Sequence, residues 1–519
     1  MRDYLIYILL CTIAASSISC RKDFEYSPSN GNLQFSKDTV YLDTIFSNIG
    51  SSTYTLKVYN RSKEDVSIPT IDLGEGENSG YRLNVDGRSG KSFTDIALSA
   101  KDSLFIFIET TFDVSDTDAH EFLYTDVLQF DRGGQLQEVP LVTLVKDAIF
   151  LFPSNSFIGN KETIPIGSDI NGQEIQVEGF ELNPEQLNFT SAKPYVIYGY
   201  AAVPPDETLT IEAGTRVHFH KNSGIFVKAN AQLRIKGEIS KDSVALEGAI
   251  IFEGDRLEPE YANLPGLWGG VIIASGSKGN TIDHLILKNA TNGLRVNGDG
   301  ILEVTTLSIK NTQIYNSSQN NLWAKNAAIK GENVVLGSAG NNSMLCDFGG
   351  DYTFHHTTIA NYWTNSFRTG SALSIKNYNL DATGSEIGQD LIRADFFNCI
   401  IDGNSAAELF LKSTDSATFS YFFGNCLLKY ELEDGGAVNA NSLYNFEDTT
   451  KYKNVLLSKE IGFVDVIQND FRLVYSSQAI DNADPQEALT IPFDIIGNDR
   501  TNFPDIGAYE FINDNQSSR

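Results

Sequence analysis

A four-residue unit recurs down the second half of the chain: HLIL at His284–Leu287, NTQI at Asn311–Ile314, NVVL at Asn333–Leu336, HTTI at His356–Ile359, NYNL at Asn377–Leu380, NCII at Asn398–Ile401, NCLL at Asn425–Leu428 and NVLL at Asn454–Leu457. Successive copies begin 27, 22, 23, 21, 21, 27 and 29 residues apart. Self-similarity at this period marks a solenoid, in which each repeat buries a face by stacking on its neighbours. Side chains alternate along a strand, so the closing Ile or Leu shares a face with the residue two before it. That position holds Leu285, Thr312, Val334, Thr357, Tyr378, Cys399, Cys426 and Val455. Most are small or β-branched, as an inward stack between parallel coils roughly 4.8 Å apart requires. The leading His284, Asn311, Asn333, His356, Asn377, Asn398, Asn425 and Asn454 then fall at a corner, where an amide can satisfy turn groups and the next coil's amide. The column reads as a structural ladder, and a functional site is expected where the repeat is interrupted.

The rest of the composition agrees with β structure. The 519 residues include 42 Gly, 32 Phe and 22 Tyr but only 2 Met. A single compact core does not grow to this length, whereas a solenoid lengthens by adding coils. The formal charge is −28, from 67 acidic and 39 basic residues spread along the chain. Nucleic acid is excluded as a partner by the lack of a basic footprint. No cofactor is indicated; Ca²⁺ on surface carboxylates is the one ion this acidity admits, without a ligand set.

Five cysteines give no disulfide framework. Cys11 and Cys20 lie in the leader, and Cys399 and Cys426 fall at equivalent positions of adjacent coils. Stacked side chains point the same way, so free inward thiols are expected there and at Cys346.

Met1–Cys20, MRDYLIYILLCTIAASSISC, has one early Arg, an apolar run too short to span a bilayer, and small residues before a Cys. The ending resembles a bacterial lipobox, with Ser17 where that pattern prefers Leu. RKDFE at Arg21–Glu25 resembles the export signal of Bacteroidetes surface lipoproteins. The resemblance implies lipidation at Cys20, a lipid anchor in the outer membrane facing outward, and no spanning helix. Residues 21–32 are then a tether.

Between 33 and 147 the sequence alternates apolar and polar residues in short runs: TYTLKVYN (Thr53–Asn60), VSIPTIDL (Val66–Leu73), SLFIFIETTF (Ser103–Phe112), TDVLQFD (Thr125–Asp131) and VPLVTLV (Val139–Val145), with a DRGG turn before the last. This pattern predicts an immunoglobulin-like β-sandwich. It resembles the Ig-like modules of Bacteroidetes surface proteins and reads as a spacer.

After a connecting segment at 148–194, TLTIEAGTRVHF (Thr208–Phe219), GIFVKANAQLRIKGE (Gly224–Glu238), GLWGGVII (Gly266–Ile273) and IDHLILKNATNGLRV (Ile282–Val296) follow in order. The succession resembles the opening coils of right-handed parallel β-helices of the pectin-lyase-like superfamily. The predicted class is therefore all-β, an Ig-like sandwich followed by a right-handed parallel β-helix over 195–476. Residues 477–511, ending in DIGAYEF, resemble the C-terminal segment of such proteins and are expected to cap the last coil. Residues 512–519 are expected to fray.

Enzymes of this fold act mostly on acidic polysaccharides through carboxylates, Ca²⁺ and basic residues, yet the Gly-His-Gly and Asn-Gly-x-Glu signatures are absent. What remains are outward candidates: Asp347 and Asp351 near His355, Arg368, Arg393 with Asp395, and Asp402. His218 and His220 lie two apart on one strand face, a spacing that can hold Zn²⁺, without a nameable third ligand. The leading expectation is a surface lipoprotein whose β-helix binds glycan or another surface polymer. The alternatives are a polysaccharide lyase or glycosidase with a non-standard site on the flank, and a purely structural envelope component.

Overall fold

The structure, a computed structural model, describes residues 26–47, 49–112, 121–131, 135–154, 161–168, 172–381, 383–431, 442–458 and 461–512. The leader, Cys20, the RKDFE stretch, most of the DRGG turn and residues 513–519 lie outside them. No helix among the described residues is long and apolar enough to cross a membrane. The chain divides into two units, Met1–Asp147 and Ala148–Arg519.

The first unit holds two sheets over one core. One contains Val40–Phe46, Val66–Leu73, Ser92–Leu98, Glu121–Phe130 and Gln137–Lys146; the other contains Tyr54–Tyr59, Tyr81–Val85, Arg88–Gly90 and Ser103–Thr110. Pairing within the second sheet is antiparallel, while Val40–Phe46 adds to the first in parallel. Alternation puts Leu56, Val58, Ile106 and Ile108 inside and Lys57, Phe105 and Phe107 outside.

The second unit is all-β, with a nineteen-stranded and a ten-stranded sheet; apart from the antiparallel hairpin Thr163–Ser168 and Glu174–Glu181 at the start of the latter, their strands pair in parallel from coil to coil, consistent with a β-helix. Coiling begins earlier than the sequence indicates, since Ile149–Leu151 already pairs in parallel with Tyr195–Ile197. One continuous core runs from Leu151 to Tyr452. Within it Phe354, Phe396, Phe423 and Tyr452 occupy matching positions and stack with centroids 5.7, 5.2 and 5.6 Å apart. Burying each phenyl ring contributes about 1.5–3 kcal/mol. The stack stops at Gly331, where a Cβ would collide with the Phe354 ring.

The corner column is visible in the backbone. His284, Asn311, Asn333, His356, Asn398, Asn425 and Asn454 all have φ between 45° and 54°. Asn tolerates this left-handed region better than other non-glycine residues. Asn333 donates to Asn311 Oδ1 at 3.0 Å, and Asn398 Nδ2 lies 3.0 Å from His356 Nε2.

Asn377 is not part of the column. It lacks the positive φ, and the strand after it, Tyr378–Leu380, pairs antiparallel with Glu386–Gly388. Its amide is spent on Ala417 O, Thr418 O and Thr414 N–H. One 42-residue coil therefore joins His356 to Asn398, interrupted by a hairpin that mimics the repeat. Tyr378, expected inward, instead faces a cleft on the outer surface.

The C-terminal segment does not close the last coil. It lies along the flank, with Phe471, Ile495, Ala508 and Tyr509 on Val335 and Ala360, and Ile461, Ala479 and Ile506 on Ile400 and Leu427. Asn333 and Asn398 hold it through Phe493 O and both backbone groups of Asp484. The end of the core is covered by Leu443, Tyr444 and Phe446. These outward apolar positions on the coils explain the arrangement, because left bare they would form an exposed apolar strip.

Candidate ligand-binding face

The outer face of the ten-stranded sheet is covered at its first strands, where Ile164, Ile166 and Val177 of the hairpin Thr163–Ser168 and Glu174–Glu181 pack on Ala202, Phe226 and Ile272. Further along, Arg295, Trp323 and Leu345 are half-buried and Phe410 is 44% exposed. Ala202, Phe226, Ile272, Arg295, Trp323, Leu345, Ser374 and Phe410 stand opposite one another on successive strands. Inward neighbours such as Leu294, Val296, Leu322 and Ala324 anchor each strand in the core, so alternation aims the column outward. Two residues further along come Pro204, Lys228, Ala274, Asn297, Lys325, Asp347, Lys376 and Lys412, with Lys228 paired to Glu181. The face thus joins flat and apolar side chains to an edge with four lysines, two of them ion-paired.

The Arg295 guanidinium lies 4.6 Å from the Trp323 ring centre. Trp323 Nε1 donates to Asp347 Oδ2 at 3.3 Å, and Asp347 Oδ1 is 3.1 Å from Lys376 Nζ. Arg295 is held somewhat below the usual guanidinium range by burial, opposed by Tyr200 and Asp347. It remains a cation at neutral pH.

A cleft of about 580 Å³ opens at the N-terminal end of this face. Its wall is the hairpin Thr163–Ser168 and Glu174–Glu181, which contributes Ile166, Val177 and Glu178. Glu178 is 2.8 Å from Lys161 Nζ. Tyr200 forms part of the floor and needs glycine beside it, since a Cβ on Gly224 would come within 2.6 Å of its ring. Burial pushes the Tyr200 phenol up to about 12, partly opposed by Arg295. His220 stacks on Tyr198 at 4.5 Å, with Nδ1 2.7 Å from Asp255. Glu178 is the only carboxylate among the described lining residues. A pair flanking a glycosidic bond, as two-carboxylate hydrolysis requires, is therefore not assembled by that lining.

A second cleft, about 420 Å³, lies further along, lined by Leu345, Ser374, Lys376, Tyr378, Phe410 and Lys412 among others. Lys412 Nζ sits 5.3 Å from the Tyr378 ring centre. The interrupting hairpin supplies one wall and the loop at Thr369–Ser371 another. That loop follows Arg368, whose side chain is 5% exposed and contacts the fully buried Glu408 at 2.5 and 2.9 Å. Glu408 also accepts from the Ala372 and Ser405 amides, both at 2.7 Å. Arg368 is thus a loop clamp, not the outward group expected from sequence, because a buried carboxylate demands its charge.

The other sequence candidates are scattered. Arg393 grips Asp351 at 2.8 and 2.9 Å on the nineteen-stranded sheet. Asp395 is nearby, its carboxyl raised by burial and by Asp351 while Arg393 lowers it. Asp402, expected outward, is fully buried, accepts from Tyr362 at 2.5 Å and is raised by burial. His355 stacks on Phe397 and faces Glu487 of the flank segment at 3.1 Å. His218 and His220 take separate partners, Glu253 at 3.5 Å and Asp255 at 2.7 Å. No group of three metal-ligating side chains occurs among the described residues. Cys346, Cys399 and Cys426 are free and buried.

Of the sequence candidates only His220 and Asp347 touch this face. Arg295, Trp323, Tyr200 and Phe410 were not singled out. A signal for Trp323 and Phe410 exists in FVK, WAK, SIK and FLK at Phe226–Lys228, Trp323–Lys325, Ser374–Lys376 and Phe410–Lys412, where Lys follows two positions later; Arg295 and Tyr200 carry no such signal.

No family model and no curated protein matches the chain. Among solved structures it is similar to that described as the complex structure of XylC with xylose, with a TM-score of 0.31, 9% identity, and 94% of this chain and 91% of that chain covered. Another is the catalytic unit of a thermostable GH87 alpha-1,3-glucanase from Streptomyces thermodiastaticus strain HF3-3, with a TM-score of 0.23, 10% identity, and 78% and 89% covered. A third, the ASH / PapD-like domain 7 of human CEP192, has a TM-score of 0.15, 10% identity, and 25% and 94% covered.

Proposed function

We propose that the protein binds an acidic polysaccharide along the outer face of the ten-stranded sheet, as a lipid-anchored surface protein carrying an Ig-like unit and a right-handed β-helix. The observation that carries the reading is the register that places Arg295, Trp323, Leu345 and Phe410 in one line, running from the first cleft at Arg295 to the second at Leu345 and Phe410. Pyranose rings offer an apolar face for stacking and hydroxyls for hydrogen bonds, and uronate carboxylates suit Arg295, Lys325, Lys376 and Lys412. Lys228 and Lys376 are ion-paired with Glu181 and Asp347, whereas Arg295, Lys325 and Lys412 lie over aromatic rings, and these three cations on a chain of net charge −28 argue for an anionic ligand. The lipid anchor at Cys20 rests on the leader sequence alone.

Calorimetric titration of the whole chain with oligogalacturonate and oligoalginate tests the binding. Saturable binding weakened by Trp323→Ala supports it, and no heat from either ligand overturns it. Unsaturated products accumulating with either polymer would favour the lyase alternative instead. Cys20→Ala should release the protein from membranes; unchanged partitioning would contradict the anchor.

A further inference from the structure

The first unit carries an aromatic surface that the spacer reading leaves unused. On the outward face of Ser103–Thr110, Phe105 and Phe107 are 47% and 42% exposed, with rings 14° from parallel and centroids 6.5 Å apart. Pairing places Asn84 and Thr55 on either side of Phe107, and Lys57 beside Phe105. Lys57 Nζ lies 4.8 Å from the Phe105 ring centre, and the Arg61 guanidinium 4.2 Å from that of Tyr59. Phe107 borders a cleft of about 500 Å³ lined also by Glu77, Arg82, Asn84, Ser89, Lys91 and Glu109.

The charges of that cleft balance. Arg82 is 3.8 Å from Glu109, and Lys91 donates to the Glu77 and Ser79 carbonyls at 2.7 and 2.8 Å. A lining with two cations and two carboxylates carries no net formal charge to favour an ion of either sign. It offers closely spaced donors and acceptors next to an exposed ring, which matches a ligand with vicinal hydroxyls on one edge and C–H groups on its face.

We infer that this sheet face is a second saccharide-binding site, selective for neutral glycan, with Phe105 and Phe107 as the stacking platform and the Arg82–Asn84–Glu109 cleft reading hydroxyls. It is separate from the acidic-polysaccharide face in residues and in ligand charge, so either can fail alone.

The test is affinity electrophoresis of the whole chain through native gels containing mixed-linkage β-glucan, galactomannan, mannan or dextran. Retardation in at least one gel, weakened roughly tenfold in Phe105→Ala/Phe107→Ala, supports the inference. Both side chains are solvent-facing, and an unchanged melting curve shows that the fold survives. If the double variant fails to fold, Asn84→Ala decides by the same criterion. Retardation unaffected by the variant that decides, or absent from all four gels, as a protein partner would give, overturns the inference.

Discussion

The guanidinium of Arg295 rests on the indole of Trp323, 4.6 Å from the ring centre, across two neighbouring strands of the ten-stranded sheet. The contact engages one indole face and holds the cation beside it, where its planar fork can pair with a carboxylate. Arg295→Lys should therefore weaken oligogalacturonate binding by roughly tenfold although charge is conserved, because the flat bidentate fork is lost. Calorimetry reads this directly; equal affinities would show that only charge matters there.

Arg368 and Glu408 form a nearly solvent-free ion pair that fixes the loop walling the second cleft. Removing the cation leaves a buried carboxylate that still accepts two backbone amides but lacks its counter-charge. Arg368→Ala should cost about 3–5 kcal/mol in chemical denaturation. Glu408→Gln in the same background should recover part of that loss, and no recovery would contradict the explanation.

Phe396 is the middle of the internal aromatic stack, with rings at 5.7 and 5.2 Å on either side. Phe396→Ala should destabilise the second unit by about 3–5 kcal/mol. The exposed Phe107→Ala should stay within about 0.5 kcal/mol. Denaturation curves for the two variants check the contrast between inward and outward phenyl rings.

Glu510, in the segment lying along the flank, is pushed up to about 8, first by burial and then by Asp505, with Arg500 opposing. From its ordinary 4.5 up to about 8 the folded chain holds a proton that the unfolded chain has released. Its contribution to stability is fully present below pH 4.5 and is lost as the pH rises through 8. Thermal unfolding between pH 5 and pH 9 should show the wild type losing more stability than Glu510→Gln. Parallel curves would contradict the assignment. Neighbouring His356, held low by burial, acts in the opposite direction, which is why the comparison with the variant is the informative quantity.

The solenoid was legible because its corner imposes one backbone requirement on seven coils from His284 onward, and Asn answers it at Asn311, Asn333, Asn398, Asn425 and Asn454. Asn377 shows the limit of that reading: four residues of pattern match the repeat, but strand pairing, which sequence does not display, puts them in a hairpin. The flank segment was misread for a similar reason. DIGAYEF is recognisable as terminal, yet only the apolar outward positions Val335, Ala360, Ile400 and Leu427 reveal where it lies. The candidate face was least visible, because Arg295, Trp323 and Phe410 come from strands up to 115 residues apart in sequence and meet only through coil register. The sequence candidates Arg368 and Asp402 looked outward as single letters and proved to be buried partners of Glu408 and Tyr362.

Trp268 and Trp363 are buried at 1% and 6% exposure, so a ligand lying along the ten-stranded sheet reaches Trp323 first among the three tryptophans. Fluorescence titration of the whole chain with oligogalacturonate and oligoalginate is the most direct measurement of the central claim. The account predicts a saturable change in tryptophan emission that disappears in Trp323→Phe while both buried tryptophans still emit. An emission spectrum unmoved by either acidic oligosaccharide, or a change that persists in Trp323→Phe, would contradict it.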